Sequence, residues 1–280
     1  PARAAEGGGG MSDPIRILVT LNEAYLPHLN VMLSSLRHTN PGERFEIYLL
    51  HSSIPDAALS PTRAILGPEN ALFPIRADAG RLVEAPTTSR YPTEMYYRIF
   101  AAKYLPETLE RVLYLDPDVV VNGPVRPLYE TPMGDCLFAA ASHVRELFRR
   151  VNELRLDMDE RSPYINSGVM LMNLSRLRAE QREDEVFDYI ERHSSALLLP
   201  DQDVLSGLYG PRILPLDPLR YNMTERLAAL RGLEPDWVRQ NSVLIHYCGR
   251  NKPWKKHYAG RLGFFYQDAL ARMEAETENL

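Results

Sequence analysis

The chain has 280 residues, of which 45% are hydrophobic and 25% charged, with a net charge of −5; these are the proportions of an ordinary globular protein. The acidic balance carries no overall basic signature for nucleic acid. No apolar run approaches the roughly 18–20 residues that crossing a bilayer requires, and no signal peptide is apparent. Two cysteines, Cys136 and Cys248, stand at no metal or redox spacing and read as reduced thiols of a cytoplasmic protein.

Residues 1–10 end in four glycines and read as an artificial leader, with Met11 as the natural start. Ile15–Thr20 is rich in β-branched residues and predicts a strand. Leu29, Met32, Leu33 and Leu36 recur near helical spacing, which predicts a helix over Leu26–Thr39 that Asn40-Pro41-Gly42 stops. A second strand follows at Phe45–Leu50, a helix at about Ala57–Leu66 and a shorter strand near Phe73. This β-α-β-α-β alternation predicts a parallel sheet with helices on both faces. A helix over Thr93–Tyr104 leads to an apolar strand at Val112–Leu115. Strands are then predicted at Phe138–Ala141 and Val169–Asn173, separated by an irregular polar segment. Helices follow at Glu183–His193 and Asp203–Leu208, a late strand at Ser242–Tyr247, and a last helix from about Leu262 to Glu274. No internal repeat or linker divides the chain, so one domain over 11–280 is expected.

The strand at Val112–Leu115 runs straight into Asp116-Pro117-Asp118. Residues two apart on an extended segment point the same way, so both carboxylates could reach one cation. An acidic pair at the carboxyl end of a buried strand is where an open α/β sheet places its ligand. The competing reading is a turn held by side-chain to backbone bonds, and the segment alone leaves the two even. Asp157/Asp159 shares the spacing but sits in a charged stretch with no strand before it, which reads as solvated surface. Asp201/Asp203 precedes an apolar helix, where Asp201 suits an N-cap better than a catalytic role.

His246 closes the late strand. A lone histidine there is more often structural than functional. Beyond it, Gly249 allows close approach of backbone to a ligand, and Arg250, Lys252, Lys255 and Lys256 concentrate positive charge suited to a pyrophosphate. The bland alternative is a solvated basic loop. Asn166-Ser167-Gly168 before Val169 reads as a turn.

Taken together and in order, Val19–Tyr25, Tyr97-Arg98-Ile99-Phe100, Tyr114–Asp118, Tyr164–Val169, Asp201–Leu205 and His246–Trp254 resemble family 8 glycosyltransferases. These retaining enzymes include bacterial lipopolysaccharide galactosyl- and glucosyltransferases and glycogenin. The acidic pair combined with the distant His-Tyr-x-Gly-x-x-Lys-Pro-Trp is the most specific part of the likeness. The resemblance implies a Rossmann-like nucleotide-sugar transferase fold of GT-A type, with a mixed central sheet. A nucleotide-binding half would span about 15–121, a donor-sugar and acceptor half about 122–260, and a closing helix would run to 280.

By the same resemblance, Asp116, Asp118 and His246 would ligate Mn²⁺ or Mg²⁺. The donor would be UDP-galactose or UDP-glucose. Pro117, Gly249 and Lys252 would lie against its diphosphate, Arg98 near its sugar or phosphate, and Asn22 at the uracil N3–H. Asn166 and Asp201 would hold sugar hydroxyls, with Gln202 below the anomeric carbon. Ala24 departs from the family, which often has a polar residue there for the nucleoside. The acceptor would be a saccharide or a lipid-linked or protein-linked glycan. A nucleotide-sugar binder without transferase activity and a self-glycosylating, glycogenin-like protein are the alternatives. The aromatics of Leu262–Leu270 suit a packing helix more than a peripheral contact with the inner face of the membrane.

Overall fold

The computed structural model describes residues 12–78, 80, 93–143, 146–160 and 162–278. Nine strands are present among them: β1 (Ile15–Thr20), β2 (Phe45–His51), β3 (Ala71–Arg76), β4 (Arg111–Leu115), β5 (Val119–Val121), β6 (Phe138–Ala141), β7 (Val169–Asn173), β8 (Ile213–Leu216) and β9 (Leu244–His246). The helices between them are α1 (Leu26–Thr39), α2 (Ser60–Leu66), α3 (Ala101–Tyr104), α4 (Arg126–Tyr129), α5 (Glu146–Arg155), α6 (Leu174–Glu180), α7 (Glu183–His193), α8 (Pro200–Tyr209), α9 (Pro218–Tyr221), α10 (Glu225–Arg231), α11 (Pro235–Asn241) and α12 (Gly263–Thr277).

Seven strands form one sheet in the order β3-β2-β1-β4-β7-β6-β8. The first four in that order run parallel. β7 is antiparallel to both of its neighbours, and β8 is parallel to β6. The sheet is therefore mixed. Side-chain alternation with period two feeds a separate core on each face. Leu18, Tyr48, Tyr114, Met170 and Met172 go to one core, and Ile17, Val19, Ile47, Leu113, Leu115 and Leu171 to the other. β5 and β9 pair apart from the sheet as an antiparallel ribbon.

Two consequences of this topology position the site. The strand order reverses between β1 and β4, and the crevice at their carboxyl ends is where such sheets bind ligands. Because β7 runs antiparallel to β4, the segment entering β7 lies beside the segment leaving β4. The Asp116 N–H donates to the Gly168 carbonyl at 2.8 Å. The β5–β9 ribbon pairs Val119 with His246, which brings residues 128 positions from Asp118 to its side.

Four expectations need correction. The helix predicted over Thr93–Tyr104 is a 3₁₀ turn over Thr93–Arg98 followed by the short α3. Tyr96 to Ala102 is buried throughout, so this segment has no solvent face for an amphipathic helix to present. The late strand keeps only Leu244–His246, since its partner β5 is three residues long. α8 begins at Pro200, not Asp203, and Leu199 rather than Asp201 is its N-cap. Asp203 instead reaches back to accept from the Leu198 and Leu199 N–H groups at 2.7 and 3.0 Å. The polar segment before Val169 contains a helix, α5, in which Leu147, Phe148, Val151 and Leu154 recur at helical spacing among charged residues.

α12 packs against α1, with Phe265, Tyr266 and Ala269 buried in a third core beside the ribbon. Its aromatic face is used in packing. Among the described residues no helix is long and apolar enough to cross a membrane.

A candidate active-site cleft at the switch point

A cleft of about 640 Å³ opens at the carboxyl ends of β1 and β4. Asn22, Arg98, Asp116, Pro117, Asp118, Asn166, Asp201, Gln202, His246, Gly249 and Lys252 all line it. Every site residue expected from the sequence therefore faces one cavity of ligand-binding size.

Asp116-Pro117-Asp118 is a turn, closed by the Val119 N–H on the Asp116 carbonyl at 3.2 Å. The carboxylates converge because the chain folds here, not because it is extended. Neither is spent on capping the turn. Asp116 Oδ1 accepts from the Tyr114 hydroxyl at 2.6 Å, and Arg98 Nη2 lies 3.0 Å from it. Asp118 Oδ2 accepts from the Lys252 ammonium, which also donates to the Tyr247 carbonyl at 2.8 Å. The remaining carboxylate oxygens turn toward His246, whose Nε2 lies 3.6 Å from Asp116 Oδ2 and 3.2 Å from Asp118 Oδ1.

One ligand atom from each of these three residues lies within 4.8 Å of the other two, a span that a dication with bonds of about 2 Å can bridge. Asp118 Oδ1 is buried and accepts no hydrogen bond, an arrangement that costs free energy unless a cation satisfies it. Two carboxylates and an imidazole are donors that suit a divalent cation. Burial works to raise the Asp118 pKa, but His246 and Lys252 outweigh it and hold the group below the usual carboxylate range. Gly168 leaves no room to spare at this point. A Cβ there would meet His246 Cε1 at 2.2 Å and Asp116 Oδ2 at 2.7 Å.

Arg98 joins the two ends of the cleft. Its guanidinium reaches Asp116 on one side and Asp201 Oδ2, at 3.2 Å, on the other, and it lies 4.5 Å from the centre of the Tyr114 ring. Burial opposes its charge, yet Asp116 and Asp201 more than compensate and raise its pKa. Asp201 also accepts from the Ser167 hydroxyl at 2.7 Å. Its pKa is raised because burial exceeds the opposing pull of Arg98 and Ser167. Asn166 Nδ2 donates to Gln202 Oε1 at 3.2 Å. At the other end, Asn22 Oδ1 is buried with no hydrogen-bond partner. Asn22 itself lines the cleft. Gly249 holds φ +95°, which favours glycine whatever the space around it.

The matching family model, Glycosyl transferase family 8, covers residues 16–257. The chain belongs to this family. A lipopolysaccharide 1,2-glucosyltransferase of Escherichia coli (strain K12) is 26% identical over 255 residues, which is 88% of this chain and 74% of that protein. A second Escherichia coli protein of the same description is 28% identical over 186 residues, covering 63% of this chain and 54% of that one; this chain thus spans about half the length of that relative. Among solved structures, the galactosyltransferase LgtC in complex with donor and acceptor sugar analogues superposes with a TM-score of 0.80 at 22% identity, covering 92% of this chain and 95% of that one. That likeness shows the fold, which is of GT-A type. This family 8 glycosyltransferase is related to proteins that transfer glucose and galactose by name.

Several residues in the cleft or buried behind it were not singled out from the sequence. Tyr114 lies two positions before Asp116 on β4, so strand periodicity could have flagged it. Ser167 lay inside a segment that read as a turn. Asp203 is fully buried and is held bidentately by Arg155 at 2.6 and 2.8 Å and by the Tyr164 hydroxyl at 2.6 Å. This cluster ties α8 to α5. Asn222 is also fully buried, and its surrounding sequence carries no signal. The Asp157/Asp159 pair is exposed, as expected of solvated surface. Cys136 and Cys248 are free.

Proposed function

We propose that this glycosyltransferase moves a hexose, galactose or glucose, from a UDP-sugar to a saccharide or glycoconjugate acceptor with retention, and that it depends on Mn²⁺ or Mg²⁺. The observation that carries the proposal is the convergence of Asp116, Asp118 and His246 within 4.8 Å in a cleft that Arg98 and Lys252 also line. A dication held by these three residues would supply Lewis-acid stabilisation of the leaving diphosphate.

The chain's own groups do the rest. Lys252, anchored on Asp118 Oδ2 and the Tyr247 carbonyl, directs its third N–H at the charge that grows on the β-phosphate. Pro117 and Gly249 shape the wall on which the diphosphate lies, and Asn22 Oδ1 accepts from the uracil N3–H. Asn166 and Asp201 hold sugar hydroxyls, with Asp201 stabilising positive charge at the anomeric carbon. Gln202 below that carbon is a poor nucleophile. Attack therefore comes from the face that UDP leaves: the bond from the acceptor oxygen to C1 forms, the bond from C1 to phosphate breaks, and the acceptor proton passes to the departing phosphate.

The acceptor is a saccharide or a lipid-linked or protein-linked glycan. Lipopolysaccharide is the class favoured by the names of the Escherichia coli relatives. In this reading Asn22, the acidic turn, Gly249 and Lys252 serve the UDP side, and Asn166 and α8 the sugar side. A cytoplasmic location goes with free thiols and a soluble donor. Calorimetric titration of UDP, with Mn²⁺ and again with EDTA, tests the proposal. Binding that needs the metal is expected, followed by transfer from UDP-galactose or UDP-glucose. Absence of binding in both conditions would overturn the UDP-sugar reading.

A further inference from the structure

We infer that Asn222 is a positioning residue that fixes His246 as a ligand through Nε2 and ties the metal ligands to the donor-sugar residues. The inference rests on the metal-dependent reading given above. Its starting point is a group whose polarity cannot be reversed, the backbone N–H of Gly168. That N–H can only donate, and it does so to Asn166 Oδ1 at 3.2 Å. The Asn166 amide is thereby oriented: its oxygen is the atom near Asn222, and its nitrogen faces Gln202 Oε1.

The orientation then propagates. The Asn222 atom lying 3.0 Å from Asn166 Oδ1 must be a donor, so it is Nδ2. Asn222 Oδ1 is left to face His246 Nδ1 at 3.0 Å. An amide oxygen cannot donate, so Nδ1 carries the imidazole proton. In the neutral ring that ligates a metal, the lone pair then falls on Nε2, the nitrogen that faces Asp116 and Asp118. One backbone N–H thus sets the tautomer of a histidine in another part of the chain, through two side-chain amides. Ligating histidines ordinarily give their second N–H to such a partner, which fixes the ring and raises its basicity as a ligand.

Asn222 is suited to this role by its own anchoring. It is fully buried, and its carbonyl accepts from His143 Nε2 at 2.7 Å. The next residues hold β9 itself: Met223 N–H donates to the Leu244 carbonyl, and His246 N–H donates to the Met223 carbonyl, at 2.9 and 2.7 Å. The amide cannot rotate without breaking its contacts on both sides. The same residue serves both ends of the cleft, with His246 on its oxygen and the Asn166–Gln202 pair on its nitrogen.

These two functions separate in two variants. Asn222→Asp keeps an acceptor for His246 Nδ1–H and loses the donor to Asn166. Asn222→Ala loses both. Mn²⁺ affinity is read by calorimetry, transfer by kcat and KM, and the imidazole by ¹⁵N spectra of the Mg²⁺-loaded protein, with thermal melting as a check on folding. Asn222→Ala should weaken Mn²⁺ about 10- to 100-fold. Asn222→Asp should bind Mn²⁺ within about threefold of wild type, or more tightly, while kcat falls about tenfold or more with little change in the KM for the donor. Wild type should show a protonated Nδ1, and Asn222→Asp should retain it.

Folded variants that both bind Mn²⁺ like wild type would overturn the inference. So would an Asn222→Asp protein as weak for Mn²⁺ as Asn222→Ala, since the acceptor would then not matter. If Asn222→Ala does not fold, the Asp variant and the wild-type spectrum still decide. Failure of the underlying metal reading is distinguishable, because only then does wild type itself bind no Mn²⁺.

Discussion

The two ends of the cleft are built on different physics. At the cation end, Asp116, Asp118, Arg98 and Lys252 are charged groups, each paired with another; the carboxylates sit on the tight turn between β4 and β5, Arg98 at the end of a 3₁₀ turn and Lys252 on the loop after β9. At the sugar end, Asn166, Gln202 and Ser167 are neutral groups held by amide and hydroxyl bonds, on a loop and the first turn of α8. Among the groups that would hold the sugar, Asp201 carries charge, and Arg98 shares it with the other end. A charged end tolerates loss of a partner poorly, because removing one member leaves the other buried and unpaired. A neutral end loses only about 1 kcal/mol per bond, but it depends on whatever fixes its backbone. The cation end should therefore fail in binding and the sugar end in turnover.

The largest effect should come from Asp118→Asn. It removes a metal-ligand charge and leaves the Lys252 ammonium, 8% exposed, opposite a neutral amide. Transfer should fall roughly 10³-fold and the fold should lose about 3 kcal/mol. Adding Lys252→Met should restore much of that stability, read from denaturant midpoints, without restoring transfer. If Asp118→Asn alone keeps full stability, the ion pair is not what holds this corner, and the contrast between the ends loses half its basis.

Much of this division could be read in the residues beforehand. Val112–Leu115 followed by two aspartates stood out because charge beside an apolar strand is conspicuous, but the residues alone left cation and turn even, and it was the resemblance that joined His246, Gly249 and Lys252 to them. β-Branched content and apolar runs also marked β1, β2, β4 and β7, since strand propensity is local information. The expected route to convergence was nevertheless wrong: Asp116 and Asp118 meet through a turn. Asp201 was assigned as a cap because a first-turn acid usually caps, and the capping task fell to Asp203 instead. Asn222 was unreadable. A lone buried amide has meaning only through partners at positions 166 and 246, and those contacts are made by the fold.

A smaller effect, aimed at the sugar end, is expected for Arg155→Met. Arg155 is partly exposed and holds the fully buried Asp203 from α5. Losing it strips Asp203 of its counter-charge and loosens the start of α8, at a cost of about 2–3 kcal/mol. Because Asp201 and Gln202 ride on that turn, kcat should drop about tenfold. Mn²⁺ and UDP affinity should stay within about twofold, since no ligand of the cation end touches Arg155. A parallel fall in Mn²⁺ affinity and turnover would mean that the two ends form one cooperative unit, and the comparison would have to be abandoned.

The smallest effect lies at the rim, where α1 and α12 meet the loop after β9. His28 stacks on Trp254 with ring centres 3.6 Å apart and bonds the Tyr266 hydroxyl through Nδ1 at 2.8 Å. Burial lowers its pKa to about 4, with Asp118 opposing and Lys252 adding to the shift. The unfolded chain titrates near 6.5, so between these values it binds more protons than the folded protein, and stability falls as pH drops. The contribution is fully present above about pH 6.5 and is lost toward pH 4. The shift corresponds to roughly 3 kcal/mol at most, and half-exposure screens it to on the order of 1 kcal/mol. His143 is also lowered to about 4 by burial, so the useful quantity is a difference between proteins. His28→Gln should flatten the decline in melting temperature between pH 6.5 and 4 by about 2 °C relative to wild type. An unchanged slope would mean that the imidazole protonates in the folded state without disturbing the Trp254 stack. In that case the rim is held by Tyr266 and the apolar face of α12, and the charge sensitivity of this half of the molecule is confined to the cation end itself.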